Sequence, residues 1–196
     1  MKQFFNPFLK IAGWKALSYG LGAMLVTSLL MSIFNIHLDG ILNVHINADV
    51  SLALALMENL INWLTLVLIF GLAALILNGR AFRFLDLLGI MAFSRIPFLV
   101  MPPLNAMFNM EIIGEKIENS VLVGSGELLL STVEYMLFGG YLIISLLFII
   151  LSVTWLYNGF RILSNTKGVR ANTAFIITLL AGVAASEVLM GSLINV

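Results

Sequence analysis

The chain has 196 residues, of which 61% are hydrophobic, and ten basic residues balance ten acidic ones, so that the formal net charge is zero. A mean hydropathy of +1.06 is too high for a soluble globule and predicts an integral membrane protein. The zero net charge gives no reason to expect nucleic acid as a partner, and the length leaves no room for a separate soluble domain. The lack of cysteine excludes disulfides, thiolate metal sites and Cys nucleophiles.

The segment 1–15 interleaves phenylalanines and Trp14 with lysines, which is typical of a chain that lies among lipid headgroups. The apolar run that follows is too long for the core of a signal peptide and has no small-residue cleavage site after it. We therefore expect an interfacial anchor and then a retained first helix. Ala12, Ala16 and Gly20, spaced four residues apart, predict that this helix packs closely on a neighbour.

Five apolar stretches are each long enough to cross a bilayer as a helix, which takes roughly 20 residues. They are 16–34, 56–77, 84–102, 130–157 and 172–193. Pro97 interrupts the third stretch and removes a backbone donor, so we expect a kink there and an end at Pro102 and Pro103. The predicted fold class is an all-α bundle of five transmembrane helices, formed by 1–196 as one domain.

The basic residues indicate the orientation of these spans. One side carries eight of the ten: Lys2, Lys10, Lys15, Arg80, Arg83, Arg161, Lys167 and Arg170. The other side carries Lys116 and most of the acidic residues, namely Asp39, Asp49, Glu111, Glu115, Glu118 and Glu127. Because loops rich in Lys and Arg stay in the cytoplasm, we expect a cytoplasmic N-terminus and a C-terminus outside.

The first outer loop alternates apolar and polar residues on both sides of Asp39 and Gly40. This pattern predicts a short β-hairpin. A register that pairs His37 with Asn43 keeps one face of the hairpin apolar, so we expect that register. The later loop at 105–126 has apolar residues between its charges and is expected to hold a short amphipathic helix.

His37 and His45, with Asp39 and Asp49 nearby, are the only candidate metal ligands in the sequence. Two histidines eight residues apart are a weak signal beside a compact ligand motif, so we expect surface polar positions and no metal site. The chain also lacks the motifs of zinc proteases, serine hydrolases and phosphate-binding loops. We therefore expect neither an enzyme nor a cofactor.

Arg95 is the most conspicuous polar residue within a span. At about 1.5 Å per residue it lies roughly 16 Å from the cytoplasmic boundary, close to the bilayer midplane. An arginine there costs about 2.5 to 3.5 kcal/mol, so it should face the interior and be paired, and Glu187 on the fifth span is the predicted partner. Such a pair could fix helix packing, belong to a proton or ion path, or bind an anionic lipid headgroup.

Two stripes of polar residues accompany Arg95. They comprise Glu58, Asn62 and Thr65 on the second span and Glu134, Tyr141, Ser145 and Ser152 on the fourth. One interpretation is hydrogen bonding between helices, worth under about 1 kcal/mol for each bond. The other is an outward-open cavity lined by Glu58, Glu134 and Glu187.

Two stretches resemble the Yip1 family of small polytopic membrane proteins. They are LNGRAFRFLDLLGIMAFSRIPFLVMPPL at 77–104 and TWLYNGFRILSNTKGVRANTAFIITLL at 154–180, each with a basic loop beside a span. The resemblance implies five helices, a cytoplasmic N-terminus and no enzymatic chemistry; eukaryotic members bind Rab GTPases in vesicle traffic. Their Asp-Leu-Tyr-Gly-Pro signature is absent here, so no Rab-type role is carried over. The short chain resembles a bacterial member, which implies the inner membrane.

Two functions remain open. The favoured interpretation is a non-enzymatic protein that organises lipids or protein partners; besides the bilayer, its partners would be other proteins, a second copy of the chain or anionic lipid headgroups. The alternative is a small carrier or channel for an ion or polar solute, using an intramembrane cluster of Arg95, Glu187, Glu134, Glu58 and Asn62. No internal inverted repeat is evident in the sequence, which weighs against a carrier.

Overall fold

The structure is a computed structural model and describes residues 2–46, 50–78, 82–122 and 130–194. Asp49, Arg80 and Glu127, which entered the charge pattern above, lie outside these residues. In chain order the elements are α1 (Lys2–Phe5), a 3-10 turn (Pro7–Leu9), α2 (Gly13–Phe34), β1 (Ile36–His37), β2 (His45–Ile46), α3 (Leu52–Asn78), α4 (Phe84–Phe93), a second 3-10 turn (Ile96–Val100), α5 (Met101–Met107), α6 (Met110–Leu122), α7 (Thr132–Ser164) and α8 (Gly168–Ile194).

Within the described residues, five helices are long and apolar enough to cross a membrane, which confirms the five predicted spans. They are Gly13–Phe34, Leu52–Asn78, Phe84–Met107, Thr132–Ser164 and Gly168–Ser192. We number them spans one to five. Span three consists of α4, the second 3-10 turn and α5, whereas the other four spans are single helices.

Span three is broken where the sequence predicts a kink. The α-helix ends at Phe93, and a 3-10 turn containing Pro97 leads into α5. Proline lacks an N–H and clashes with the preceding turn, so the α-helical hydrogen bonds cannot continue through it. The predicted end at Pro102 and Pro103 is wrong, because both prolines lie in the first turn of α5, where no intrahelical N–H bond is required.

Spans one and three pack with their backbones close together, as the small residues of span one predict. A Cβ added to Gly20 would lie 2.4 Å from the carbonyl carbon of Ala92, and one added to Gly89 would lie 3.0 Å from the Cβ of Ala16. Only glycine permits such an approach. This contact holds α4 against α2 and thereby positions the break that carries Arg95.

The N-terminal segment is hydrogen-bonded to span four. Trp155 Nε1 donates to the Phe4 carbonyl (2.8 Å), and Asn158 Nδ2 donates to the Phe5 carbonyl (2.9 Å). The Phe8 ring is buried against Phe93, with 5.6 Å between ring centres. The side chains of Phe4 and Phe5 remain exposed. We call this end of the bundle the anchor end.

The opposite end, which we call the loop end, carries β1, β2 and α6. The two strands pair antiparallel with His37 opposite His45, so the predicted register of His37 with Asn43 is wrong. The physical reason is that the residues between the strands do not form a tight turn but fold into the bundle, where Leu38 and Ile41 are buried. We call residues 36–46 the cap segment. The short helix expected in 105–126 is α6.

Candidate functional site

Glu58 of span two holds the beginning of the cap segment. Its Oε1 lies 2.5 Å from His37 Nδ1, and its Oε2 accepts from the Leu38 N–H at 3.1 Å. One turn further along the same helix, Asn62 Nδ2 donates to the Leu38 carbonyl at 2.7 Å. Together, Glu58 and Asn62 therefore bind the imidazole of His37 and the backbone N–H and carbonyl of Leu38.

His37 is consequently an interior residue. Only 8% of it is exposed, and Glu58 is 1% exposed. The prediction that His37 occupies a surface position is wrong, because alternation along the strand does not reveal that the loop folds inward. Burial of an ionisable pair is tolerated when further hydrogen bonds satisfy the carboxylate, as the Leu38 N–H does for Glu58.

Span five holds the middle of the cap segment. The Ile41 N–H donates to Ser186 Oγ at 3.2 Å, and Asn43 Nδ2 donates to Glu187 Oε1 at 3.4 Å. Gly182 lets Ile41 approach, since a Cβ at that position would lie 3.2 Å from Ile41 Cδ1. The cap segment thus joins spans two and five at the loop end.

His45 lies apart from the buried pair and is exposed. Its Nδ1 is 2.6 Å from Asp39 Oδ2 within the cap segment. Across the part of the chain that the structure describes, no group of three His, Cys, Asp or Glu could hold a metal ion. His37 and His45 each contact a carboxylate, and they do so separately.

Arg95 lies at the break in span three and is only 3% exposed. Its Nη2 donates to Asn59 Oδ1 at 3.4 Å, and its guanidinium carbon lies 5.2 Å from the centre of the Phe98 ring. Its Nε and Nη1 are buried and have no hydrogen-bond partner among the described residues. A cation-π contact is worth about 0.5 to 2 kcal/mol, against a desolvation cost of several kcal/mol. The interior therefore holds a positive charge that is incompletely compensated.

The predicted pair of Arg95 with Glu187 is wrong. Glu187 is exposed and accepts a hydrogen bond from Asn43 instead. Span five packs chiefly on span two, whereas the break in span three packs on spans one and four. Depth along a span is thus an insufficient criterion, since it does not say which helices face each other.

Asn59, which actually contacts Arg95, was not among the predicted site residues. Its Nδ2 donates to Ser28 Oγ (2.9 Å) and to the Ala55 carbonyl (3.3 Å), which leaves Oδ1 for the guanidinium. A sequence signal existed: Asn59 directly follows Glu58 and therefore lies on the adjoining face of the same helix. A wider polar stripe on span two would have included it.

Glu134 is a helix-terminal residue at the loop end. It completes a capping box, in which the Ser131 N–H donates to Glu134 Oε2 (2.7 Å) and the Glu134 N–H donates to Ser131 Oγ (3.3 Å). It also pairs with Lys116 of α6. Glu58, Glu134 and Glu187 thus have separate partners. Because Arg95 contacts Asn59, the predicted single cluster divides into four local sets of contacts.

The remaining polar residues of span four lie inside the bundle. Ser152 Oγ donates to the Ser94 carbonyl at 2.6 Å, which satisfies a backbone acceptor beside the break. Tyr141 and Ser145 are buried nearer the loop end. On span two, Thr65 is also buried and donates to the Ile61 carbonyl at 2.8 Å.

Two apolar grooves run between neighbouring spans. One of about 310 Å³ lies between spans one and two and has Ser28 and Asn59 among its lining residues. The other, of about 490 Å³, lies between spans two and three and is lined by residues such as Leu68, Leu72 and Leu88. Arg95 lines neither groove.

Comparison with known proteins identifies no relative: no protein-family model matches the chain, and neither a curated protein nor a solved structure is detectably similar to it. The length and composition of five helices among the described residues indicate an integral membrane protein.

Proposed function

We propose that the chain is a non-enzymatic, Yip1-like membrane protein that organises lipids or protein partners within the bilayer. The observation that carries this proposal is that Glu58 and Asn62, the polar residues best placed to line a path, bind the cap segment instead. Both carboxylate oxygens of Glu58 and the amide nitrogen of Asn62 are used to close the loop end. The grooves between spans are apolar, as expected of surfaces that contact acyl chains.

The proposed orientation has the anchor end in the cytoplasm and the loop end outside, with the β1–β2 hairpin on the outer face. The distribution of Lys and Arg supports it. Phe4 and Phe5 are exposed in the same N-terminal segment as Lys10, which fits the headgroup region of the inner leaflet. The bacterial inner membrane is the proposed location. A reporter fused after Val196 should be active outside the cytoplasm, and cytoplasmic activity would contradict the orientation.

The larger groove is the proposed site for an acyl chain. Its volume of about 490 Å³ lies within the usual range for ligand clefts, about 300 to 1,000 Å³. Leu68 and Leu72 line it and are exposed, so the groove faces lipid rather than the bundle interior. Arg83, exposed beside the groove residues Phe82 and Phe84, supplies a positive charge near its anchor end for an anionic headgroup.

The proposal is tested by filling this groove. Leu68→Trp places a bulky aromatic ring in the groove. The control, Leu147→Trp, places the same ring at a similarly exposed leucine of span four, outside both grooves. Native mass spectrometry after gentle detergent extraction should show fewer bound lipids for Leu68→Trp than for Leu147→Trp or the unmodified chain. Equal lipid retention in all three proteins would contradict an acyl-chain site in the groove.

A small carrier or channel is the second candidate, because two buried nitrogens of Arg95 have no hydrogen-bond partner among the residues that the structure describes. A substrate anion would supply the missing counter-charge and hydrogen-bond acceptors. Vesicles reconstituted with the protein should then show anion flux that Arg95→Gln abolishes while the folding yield stays unchanged. Absence of flux in the unmodified protein would eliminate this candidate.

A further inference from the structure

Three basic residues lie where spans four and five meet at the anchor end. Arg161 belongs to the last turn of α7, Lys167 lies in the turn between the two helices, and Arg170 belongs to the first turn of α8. Lys167 and Arg170 are exposed, and Arg161 is partly buried. We call these three residues the basic turn.

Hydrogen bonds fix the backbone that carries the basic turn. Asn78 Nδ2, at the end of span two, donates to the Leu163 carbonyl at 3.0 Å. The hydroxyl oxygens of Ser164 and Thr166 lie 2.7 Å apart and are buried. The three cations are therefore presented by a fixed connection rather than by a loose loop.

Arg161 is placed beside the beginning of α8. Its guanidinium carbon lies 5.5 Å from the centre of the Tyr157 ring, and the Tyr157 hydroxyl donates to Asn172 Oδ1 at 2.5 Å. Spans four and five run in opposite directions from a short turn, so Arg161, one helical turn beyond Tyr157, comes level with Gly168. A Cβ added to Gly168 would meet no atom within 4 Å, so the space at this position is open.

The charge of the basic turn is not neutralised by the described residues. None of its members forms an ion pair with them, and the first turn of α8 contains no acidic residue. Asp86, the one described acidic residue at the anchor end, lies beside Gly13 at the start of span one. The C-terminus of α7 and the N-terminus of α8 meet here, and their partial charges of about −0.5 and +0.5 cancel. Three full positive charges therefore remain for a ligand to neutralise.

The surroundings of the basic turn favour a lipid over a soluble anion. Ile162 and Val169 lie next to its members in the chain and are 50% and 80% exposed. Basic groups beside exposed apolar side chains at the end of a span suit the boundary between headgroups and acyl chains. The retention of Lys and Arg in the cytoplasm accounts for the side of the membrane, but it does not require an arginine held on an aromatic ring.

We infer that the basic turn binds the phosphate group of an anionic phospholipid. This inference rests on the proposed role in organising lipids and adds a class of headgroup and a second position, between spans four and five. Arg161 donates to the phosphate oxygens through its terminal nitrogens, and Lys167 and Arg170 supply further positive charge. The acyl chains lie along Ile162 and Val169, in the leaflet on the anchor-end side.

The test compares lipids that differ in headgroup charge. The purified chain in detergent is titrated with phosphatidylglycerol or with phosphatidylcholine of the same acyl chains, and bound lipid is counted by native mass spectrometry. Each basic residue contributes about fivefold to the affinity for an anionic lipid, so we expect phosphatidylglycerol to bind at least about tenfold more tightly at low salt. Equal binding would overturn the inference. Inorganic phosphate that competes at the same concentration as phosphatidylglycerol would overturn the lipid as the source of the phosphate.

Variants locate the binding. Arg161→Gln and Lys167→Gln should each weaken phosphatidylglycerol binding about fivefold. Lys15→Gln removes the same charge from an exposed residue of α2 at the same end and should leave the affinity unchanged. Since Lys167 is exposed, its substitution tests the site even where Arg161→Gln fails to fold.

Two further outcomes separate this inference from the proposed function. A preference for phosphatidylglycerol that Arg161→Gln and Lys167→Gln both retain and that Arg83→Gln alone abolishes would overturn the inference and leave the larger groove as the lipid site. Failure of the unmodified chain to bind either lipid would overturn the proposed function as well.

Discussion

His37 and Glu58 bring Nδ1 and Oε1 to 2.5 Å of each other inside the loop end, although 21 positions separate them in the chain. The contact converts a loop that could lie in solvent into a buried part of the bundle. Because Glu58 also accepts from the Leu38 N–H, one carboxylate satisfies both a side chain and the backbone of the cap segment. Removal of the Glu58 carboxylate would leave His37 Nδ1 and the Leu38 N–H buried without a charged acceptor.

The first prediction concerns release of the cap segment. The chain lacks cysteine, so a single Ile41→Cys reports the exposure of that residue, which is 2% in the structure. Removal of one partner from a buried pair costs about 3 to 5 kcal/mol, so Glu58→Gln should raise the maleimide labelling rate at position 41 at least about tenfold. Glu118→Gln serves as the control and should leave the rate unchanged. Slow labelling in Glu58→Gln would contradict a cap held by this carboxylate.

The second prediction concerns Arg95. Two of its nitrogens have no partner in the described part of the chain. Replacement of Arg95 by methionine, which has a similar length, should therefore remove a desolvated charge and raise the free energy of unfolding by about 1 to 3 kcal/mol. Chemical denaturation in detergent micelles measures the change. Arg83→Met removes an exposed charge and should change the free energy by less than about 0.5 kcal/mol. A clear loss of stability in Arg95→Met would reveal an anionic partner.

The third prediction tests the close contact between spans one and three. Gly20→Val places a branched side chain where the Ala92 backbone lies 2.4 Å from the added Cβ, whereas Gly22→Val meets no atom within 4 Å. Overpacking costs about 1 to 3 kcal/mol, so the first variant should have the lower thermal midpoint. Both variants introduce the same residue into the same helix. Equal midpoints would contradict the packing of α2 on α4.

The fourth prediction concerns the start of span four. Ser131→Ala removes the hydroxyl that accepts from the Glu134 N–H, and loss of an N-cap costs about 0.5 to 2 kcal/mol. We expect faster hydrogen exchange at the first amides of α7, measured by mass spectrometry. Ser192→Ala, which removes a hydroxyl that donates to the carbonyl of Leu189 in its own helix, is the control. Unchanged exchange at Glu134 would argue against the capping box.

The spans were predictable because a helix that crosses lipid must be apolar over its whole length, which hydropathy detects directly. The partner of Arg95 could not be predicted from its depth in the bilayer, because the choice of facing helices is a property of the packed bundle. Pro102 and Pro103 do not show from sequence alone whether a helix ends or begins there, because the first turn of a helix tolerates proline. In the structure they begin α5. The burial of His37 is not evident from the sequence, because its partner, Glu58, belongs to span two and their contact forms only when the bundle packs.

The hydrogen bond from Ile41 to Ser186 has a consequence for biosynthesis, since 145 positions separate the two residues. Span five is therefore synthesised long after the cap segment that it receives. Until span five leaves the translocation machinery, Ile41 lacks its partner, and only span two can hold the beginning of the cap segment. Full closure of the cap is thus a late step, and a chain arrested before Ser186 would leave Ile41 uncovered for proteases or chaperones to recognise.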